Sequence, residues 1–90
     1  MSDGASALAD IERFRIEDPE RAARRCEEYL QTHNKDVAGY LVLARCYVDL
    51  RQEATAIEVL RNALQLAPDR VNVLVFLGNL YLYLQQVAEA

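Results

Sequence analysis

Residues 40–47, YLVLARCY, return 34 positions later as residues 74–81, LVFLGNLY. The shift lays Tyr40, Leu43, Ala44 and Tyr47 on Leu74, Leu77, Gly78 and Tyr81, with Pro68 between the two copies. Steps of three, one and three describe a single helical face. Small residues at the third position let two helix axes approach closely, and the larger ones fill the space around the crossing. A repeat of this length marks a stack of helical units, each of which buries its apolar face only on a neighbour.

The flanking sequence supplies starts and stops. Asp18-Pro19-Glu20 opens a helix, because Asp18 can cap free N–H groups and Pro19 sits where its missing N–H costs nothing. Ala22, Cys26, Tyr29 and Leu30 then share one face, opposite the charged Arg21, Arg24, Arg25 and Glu28. Asp36 and Asp69 are the expected caps of two later helices, and Pro68 closes the one between them, which carries Ala56, Ile57, Leu60, Ala63, Leu64 and Leu66. No segment alternates at period two between turn signals. The expectation is an all-α chain of five helices near 5–17, 19–32, 37–50, 53–66 and 70–85, with sequential helices antiparallel.

Composition narrows the function. Of 90 residues, 52% are apolar and 27% are charged, as in a soluble globular unit. A chain this short buries only roughly 60–65% of its unfolded surface, so an uncovered apolar face is costly. Fourteen acidic and ten basic residues are interspersed and give a net charge of −4, which argues against nucleic acid as a partner. The cluster Arg21, Arg24 and Arg25 reads as a solvated helix face. The start, MSDGASALAD, lacks the pattern of a secretory signal, and the cytoplasm is the expected location. The apolar run 71–84 rises about 21 Å as a helix against a hydrocarbon core of roughly 30 Å, so no membrane span is expected. Cys26 and Cys46, with the single His33 between them, lack metal-ligand spacing and read as buried free thiols; no metal or cofactor is expected. His33 falls in a polar turn.

The full copy, Tyr40-x2-Leu43-Ala44-x2-Tyr47, then Ala56-x3-Leu60, Ala63 and Pro68, resembles the tetratricopeptide repeat family. The resemblance covers residues 19–90 and implies a helix-turn-helix solenoid of about two and a half repeats in one domain: a degenerate first repeat over 1–36, a complete one over 37–70 and a truncated third over 71–90. Residues 5–17 depart from the pattern, with Ser6, Ala9, Asp10 and Arg13 at its core positions. That helix is expected to act as a cap anchored by Leu8, Ile11, Phe14 and Ile16. Ala90 is in register with Ala56, which suggests the N-terminal portion of a longer repeat protein.

In this family the first helix of each repeat lines a concave groove. Carried onto this chain, the groove residues are Ala38, Leu41, Arg45, Val48 and Asp49, continuing to Asn72, Val75, Asn79, Leu82 and Tyr83. They form a mostly apolar floor with Arg45 and Asn79 as polar handles, suited to a partner peptide or amphipathic helix. The competing reading has Leu41, Val48, Val75 and Leu82 merely packing between repeats. Some chaperone-binding relatives clamp a terminal carboxylate with Lys and Asn, but Leu41 stands where the first Lys belongs, which argues against that role. No nucleophile is paired with a base and no Gly-rich loop precedes a helix, so no catalysis is expected. The resemblance thus implies a protein-interaction scaffold. The alternatives are a self-associating assembly module, or an N-terminal module of a larger protein with a separate effector domain.

The residues around the second copy, VNVLVFLGNLYLYL at 71–84, are apolar on every side. A helix of that kind is normally buried all round. Leu74, Gly78 and Tyr81 are expected on the preceding helix. That leaves Leu77, Leu80 and Leu84 to face outward and form a homodimer contact.

Overall fold

A computed structural model describes residues 4–89. Among these residues the chain forms five helices and no strand: α1 (Gly4–Arg13), α2 (Pro19–Thr32), α3 (Val37–Asp49), α4 (Glu53–Leu66) and α5 (Val71–Glu89). Consecutive helices pack on one another along the chain, and α1 also reaches α3. The body measures 49 × 31 × 16 Å. Its thin dimension fits two layers of helices about 10 Å apart, so α1, α3 and α5 have one broad side free.

The caps read from sequence hold α2 and α3. The Asp18 carboxylate accepts from Arg21 N–H at 3.2 Å, and the Asp36 carboxylate accepts from Ala38 N–H at 3.1 Å. The Tyr29 hydroxyl donates to Asp36 as well, tying α2 to the start of α3. At the end of α3 the chain reverses through Arg51 in a left-handed conformation, φ 62°. There Gln52 N–H reaches Tyr47 C=O at 2.8 Å and Arg51 N–H reaches Val48 C=O at 3.0 Å, a Schellman ending with arginine in the usual glycine place.

The core runs through the middle of the slab. Ala22, Cys26, Ala44, Cys46, Ala56, Leu60, Ala63 and Val73 are fully covered. Gly39 lets α3 lie against α2 closely: a β-carbon there would come within 2.7 Å of Leu30 Cδ2 and 3.1 Å of the Tyr29 ring. The Cys26 thiol donates to Gly39 C=O at 3.1 Å across the same contact. Both thiols are free and buried. Burial, above all else, pushes Cys26 up to about 12 and Cys46 up to about 11. His33 stacks flat on Tyr29 with ring centroids 4.1 Å apart, so the polar turn is more ordered than its composition suggests.

Several expectations need correction. Helix α1 ends at Arg13, because residues 14–17 form a turn in which Asp18 N–H bonds Phe14 C=O at 2.9 Å. Ile16, expected as an anchor, lies on that turn and is 80% exposed, whereas Leu8 and Ile11 are buried. Phe14 is half-buried beneath the guanidinium groups of Arg25, at 5.2 Å, and Arg21, at 5.8 Å, so that part of the basic cluster packs on a ring. Asp69 stands two residues before Val71, which leaves Arg70 in the cap position of α5. Helix α5 also runs on to Glu89, since no glycine or proline follows Leu84 to stop it. Its 19 residues are long and apolar enough to cross a membrane, and the length argument against a span does not hold. Ala90, whose register suggested a longer repeat protein, lies outside the described residues, as do residues 1–3.

The largest correction concerns which face of α5 is covered. Val73 and Leu80 are buried, and Phe76, Leu77 and Leu84 are packed against the core. Leu74 and Tyr81 are exposed, and Gly78 has nothing within 4 Å of where a β-carbon would stand. Leu77, Leu80 and Leu84 therefore face inward. The reason is register: 34 residues earlier, Gly39, Val42, Leu43, Cys46 and Leu50 are the covered positions shared with this stripe, and Gly39 meets the helix that precedes α3.

Candidate functional site

The free side of α1, α3 and α5 is a shallow trough. Its roomiest part is a cleft of about 550 Å³ between α3 and α5, lined by Leu41, Arg45, Val71, Asn72, Val75, Phe76 and Asn79. A second hollow of about 290 Å³ continues it toward α1 through Leu8, Ala9, Glu12, Ala38 and Val42, sharing Leu41 and Arg45. A third, of about 260 Å³, lies at the other end between Val48, Arg51, Glu53, Leu80 and Tyr83. Periodicity explains the alignment: in α5, Asn72, Val75, Phe76, Asn79 and Tyr83 recur at three- and four-residue steps and so share a side.

Eight of the ten residues expected in the groove line one of these hollows: Ala38, Leu41, Arg45, Val48, Asn72, Val75, Asn79 and Tyr83. Two do not. Asp49 is held by Arg15, Nη1 to Oδ2 at 2.5 Å, and its carboxylate is engaged at the end of α1. Leu82 is 58% exposed and lines none of the three, because a straight helix drifts about 20° per seven residues and Leu82 has turned away from the Val75 side.

Charge in the trough is balanced by α1. Glu12 accepts from Arg45 at 3.3 Å and lies 3.6 Å from Arg15, which also binds Asp49. Exposed pairs of this kind contribute little stability, but they fix where the Arg45 guanidinium stands. Arg45 also approaches the Phe76 ring, 6.0 Å from its centroid, so it leans over the cleft floor. Arg51 donates to the Tyr83 hydroxyl at 3.1 Å and tethers α5 to the α3–α4 turn. Outside the trough, the Tyr47 hydroxyl donates to Glu27 at 2.5 Å. That bond first, and burial second, push the tyrosine up to about 12.

Sequence reasoning missed Val71 and Phe76, and it missed Glu12 and Arg15 as partners of the groove residues. Phe76 sits one step past Val75 on α5 and was hidden in a run where every position is apolar. Glu12 and Arg15 were passed over because α1 departs from the repeat. Their three-residue spacing, acid before base on one face, was the available signal. Among the described residues no group of three or more His, Cys, Asp or Glu side chains is placed to hold a metal ion.

Residues 37–80 match the family model of the tetratricopeptide repeat. No curated protein and no solved structure matches the chain. The matched region takes in α3, α4 and the first half of α5, and so includes every residue that lines the main cleft. Repeats of this kind generally mediate protein–protein interaction and are generally non-catalytic. Over residues 37–80, the chain is similar to the tetratricopeptide repeat family.

Proposed function

We propose that this chain is a non-catalytic scaffold that binds a partner peptide or amphipathic helix along the α1–α3–α5 trough, in the cytoplasm. The observation that carries this reading is the 550 Å³ cleft, whose floor is apolar at Leu41, Val71, Val75 and Phe76 while Arg45, Asn72 and Asn79 supply polar groups. A volume of that size takes a few apolar side chains, and the polar groups can meet a partner's backbone. Arg45 has its charge balanced by Glu12, which favours a neutral or mixed-charge segment over a strongly acidic one.

The test is to select peptides on the chain from a random display library and measure their binding by fluorescence anisotropy. Val75→Glu, which puts an unpaired carboxylate on the floor, weakens binding by roughly tenfold or more. Asn79→Ala has a smaller effect, and Arg24→Ala on the far face has none. Leu41→Glu is a poor probe because Leu41 is only 7% exposed and the variant unfolds the chain. Binding that survives Val75→Glu and is lost with Arg24→Ala overturns the assignment of the groove.

A further inference from the structure

Helix α5 has three long sides: one packed on α4, one facing the trough, and a third that touches nothing. The third side carries Val71, Leu74, Gly78, Tyr81 and Leu82; the four large side chains are 69%, 46%, 45% and 58% exposed. On α3 the matching residues are Val37, Tyr40, Ala44, Tyr47 and Val48, and none of them is exposed. The same stripe is thus covered in one copy of the repeat and bare in the other.

We propose that a second copy of this chain covers the bare stripe, in a two-fold pairing of antiparallel α5 helices that cross at Gly78. Three observations point to a like copy. The first is symmetry within the stripe. Gly78 lies midway between Leu74 and Leu82 and midway between Val75 and Tyr81, so an antiparallel crossing sets Leu74 against the partner copy's Leu82 and Tyr81 against its Val75. Gly78, with open space around it, lets the axes approach at the crossing.

The second observation is charge. The chain carries a net charge of −4, yet no Asp, Glu, Lys or Arg occurs from Val71 to Ala88. Two copies meeting here bury no charge and oppose none, and repulsion between the remaining charges is screened over about 8 Å at physiological salt. The third is area. Val71, Leu74, Val75, Tyr81 and Leu82 leave roughly 500 Å² exposed on each copy, so that full coverage buries about 1,000 Å² for the pair, the minimum for a biological interface. A two-fold contact satisfies both copies and closes, so it gives a dimer and not a fibre.

Sedimentation of the chain at about 10–100 μM gives twice the monomer mass if the proposal holds. Leu74→Glu with Tyr81→Glu, both at exposed positions, raises the dimer dissociation constant by roughly a hundredfold and leaves the circular dichroism helical. Gly78→Cys forms an intermolecular disulfide on mild oxidation, whereas Gln86→Cys, on the trough side, does not; the native thiols are buried and do not interfere. Val71 and Val75 line the α3–α5 cleft as well, whereas Leu74 and Tyr81 do not, so peptide binding is measured on the Leu74→Glu/Tyr81→Glu chain, where the cleft is intact and the dimer is removed. A wild-type monomer with helical α5 overturns the proposal and leaves the stripe to an unlike helix. So does a dimer that survives the double substitution, or transfer of the chain onto phosphatidylcholine vesicles with loss of the dimer.

Discussion

Helices α3 and α5 are copies of one another at a distance of 34 residues, and they live in different surroundings. Helix α3 lies between α2 and α4, while α5 packs on α4 alone among the helices with extensive contact to it. The positions that meet the preceding helix are covered in both: Gly39 and Val73, Cys46 and Leu80 are buried. The positions that differ are Val37, Leu41 and Ala44, buried in α3, against Val71, Val75 and Gly78, exposed in α5. The comparison separates what a repeat encodes locally from what its neighbour supplies. The helix and its apolar content are local; whether the content counts toward stability depends on the helices that lie against it.

The sharpest break would come from equivalent residues on the two helices. Leu41→Ala removes a buried side chain and costs about 2–5 kcal/mol, whereas Val75→Ala, at a position 55% exposed, changes stability by less than about 0.5 kcal/mol in dilute solution. Urea denaturation of both variants checks this, and equal losses would mean that α5 is covered as α3 is. Next in size is the small position at the crossing. Ala44 is fully buried, so Ala44→Leu overpacks the interior of the slab and costs about 1–3 kcal/mol. Gly78→Leu meets open space, and the helix gains up to about 1 kcal/mol from the loss of a glycine. Opposite signs in melting temperature are the expected result.

The same comparison explains what could be read from the sequence. The bounds of α2 and α4 were legible because Asp18-Pro19 and Pro68 are steric and hydrogen-bonding signals that act within a few residues. Which residues line the trough was largely legible because residues at three- and four-residue steps share a side whatever surrounds them. The covered face of α5 was not. In a run such as VNVLVFLGNLYLYL every side is apolar, so periodicity cannot say which side is inward. The answer lay in Gly39, whose position against α2 marks the face that meets the preceding helix, and in carrying that face forward by 34 residues. Ile16 and Asp49 were misplaced for a related reason: the turn after α1 exposes Ile16, Arg15 on that turn pairs with Asp49, and the turn lies outside the repeat.

A third comparison holds burial fixed and changes chemistry. Cys46 and Leu80 are equivalent and both buried, but only the thiol titrates. Cys46 is pushed up to about 11 and Cys26 to about 12, each well above the ordinary thiol value. Both pKa values are raised on folding, so the contribution is fully present below about pH 9. Above that the unfolded chain loses thiol protons that the folded chain keeps, and stability falls as pH rises toward 11–12. Melting temperature should therefore be flat from pH 7 to about 8.5 and decline above pH 9, and the Cys26→Ala/Cys46→Ala variant should show a shallower decline. An unchanged slope would place the alkaline sensitivity elsewhere, with Tyr47 the next group to test because it too is raised, to about 12.

The smallest difference between the helices is at their first turns. Asp36 precedes α3 and accepts from Ala38 N–H, whereas Arg70 holds the matching place before α5, its carbonyl accepting from Leu74 N–H at 3.1 Å. An arginine there offers no acceptor to the free N–H groups and puts positive charge at the positive end of the helix dipole. Arg70→Asp reverses both and should stabilise the chain by about 0.5–1 kcal/mol, with hydrogen exchange slowed in the first turn of α5. The gain is limited because Val71 and Asn72 are exposed and the turn is held by little else. Asp36→Ala should cost more than Arg70→Asp gains, since it removes both the cap and the acceptor of the Tyr29 hydroxyl bond that ties α2 to α3. If Arg70→Asp lowers the melting temperature instead, then the arginine contributes something that the aspartate at α3 does not, and the two first turns are not equivalent.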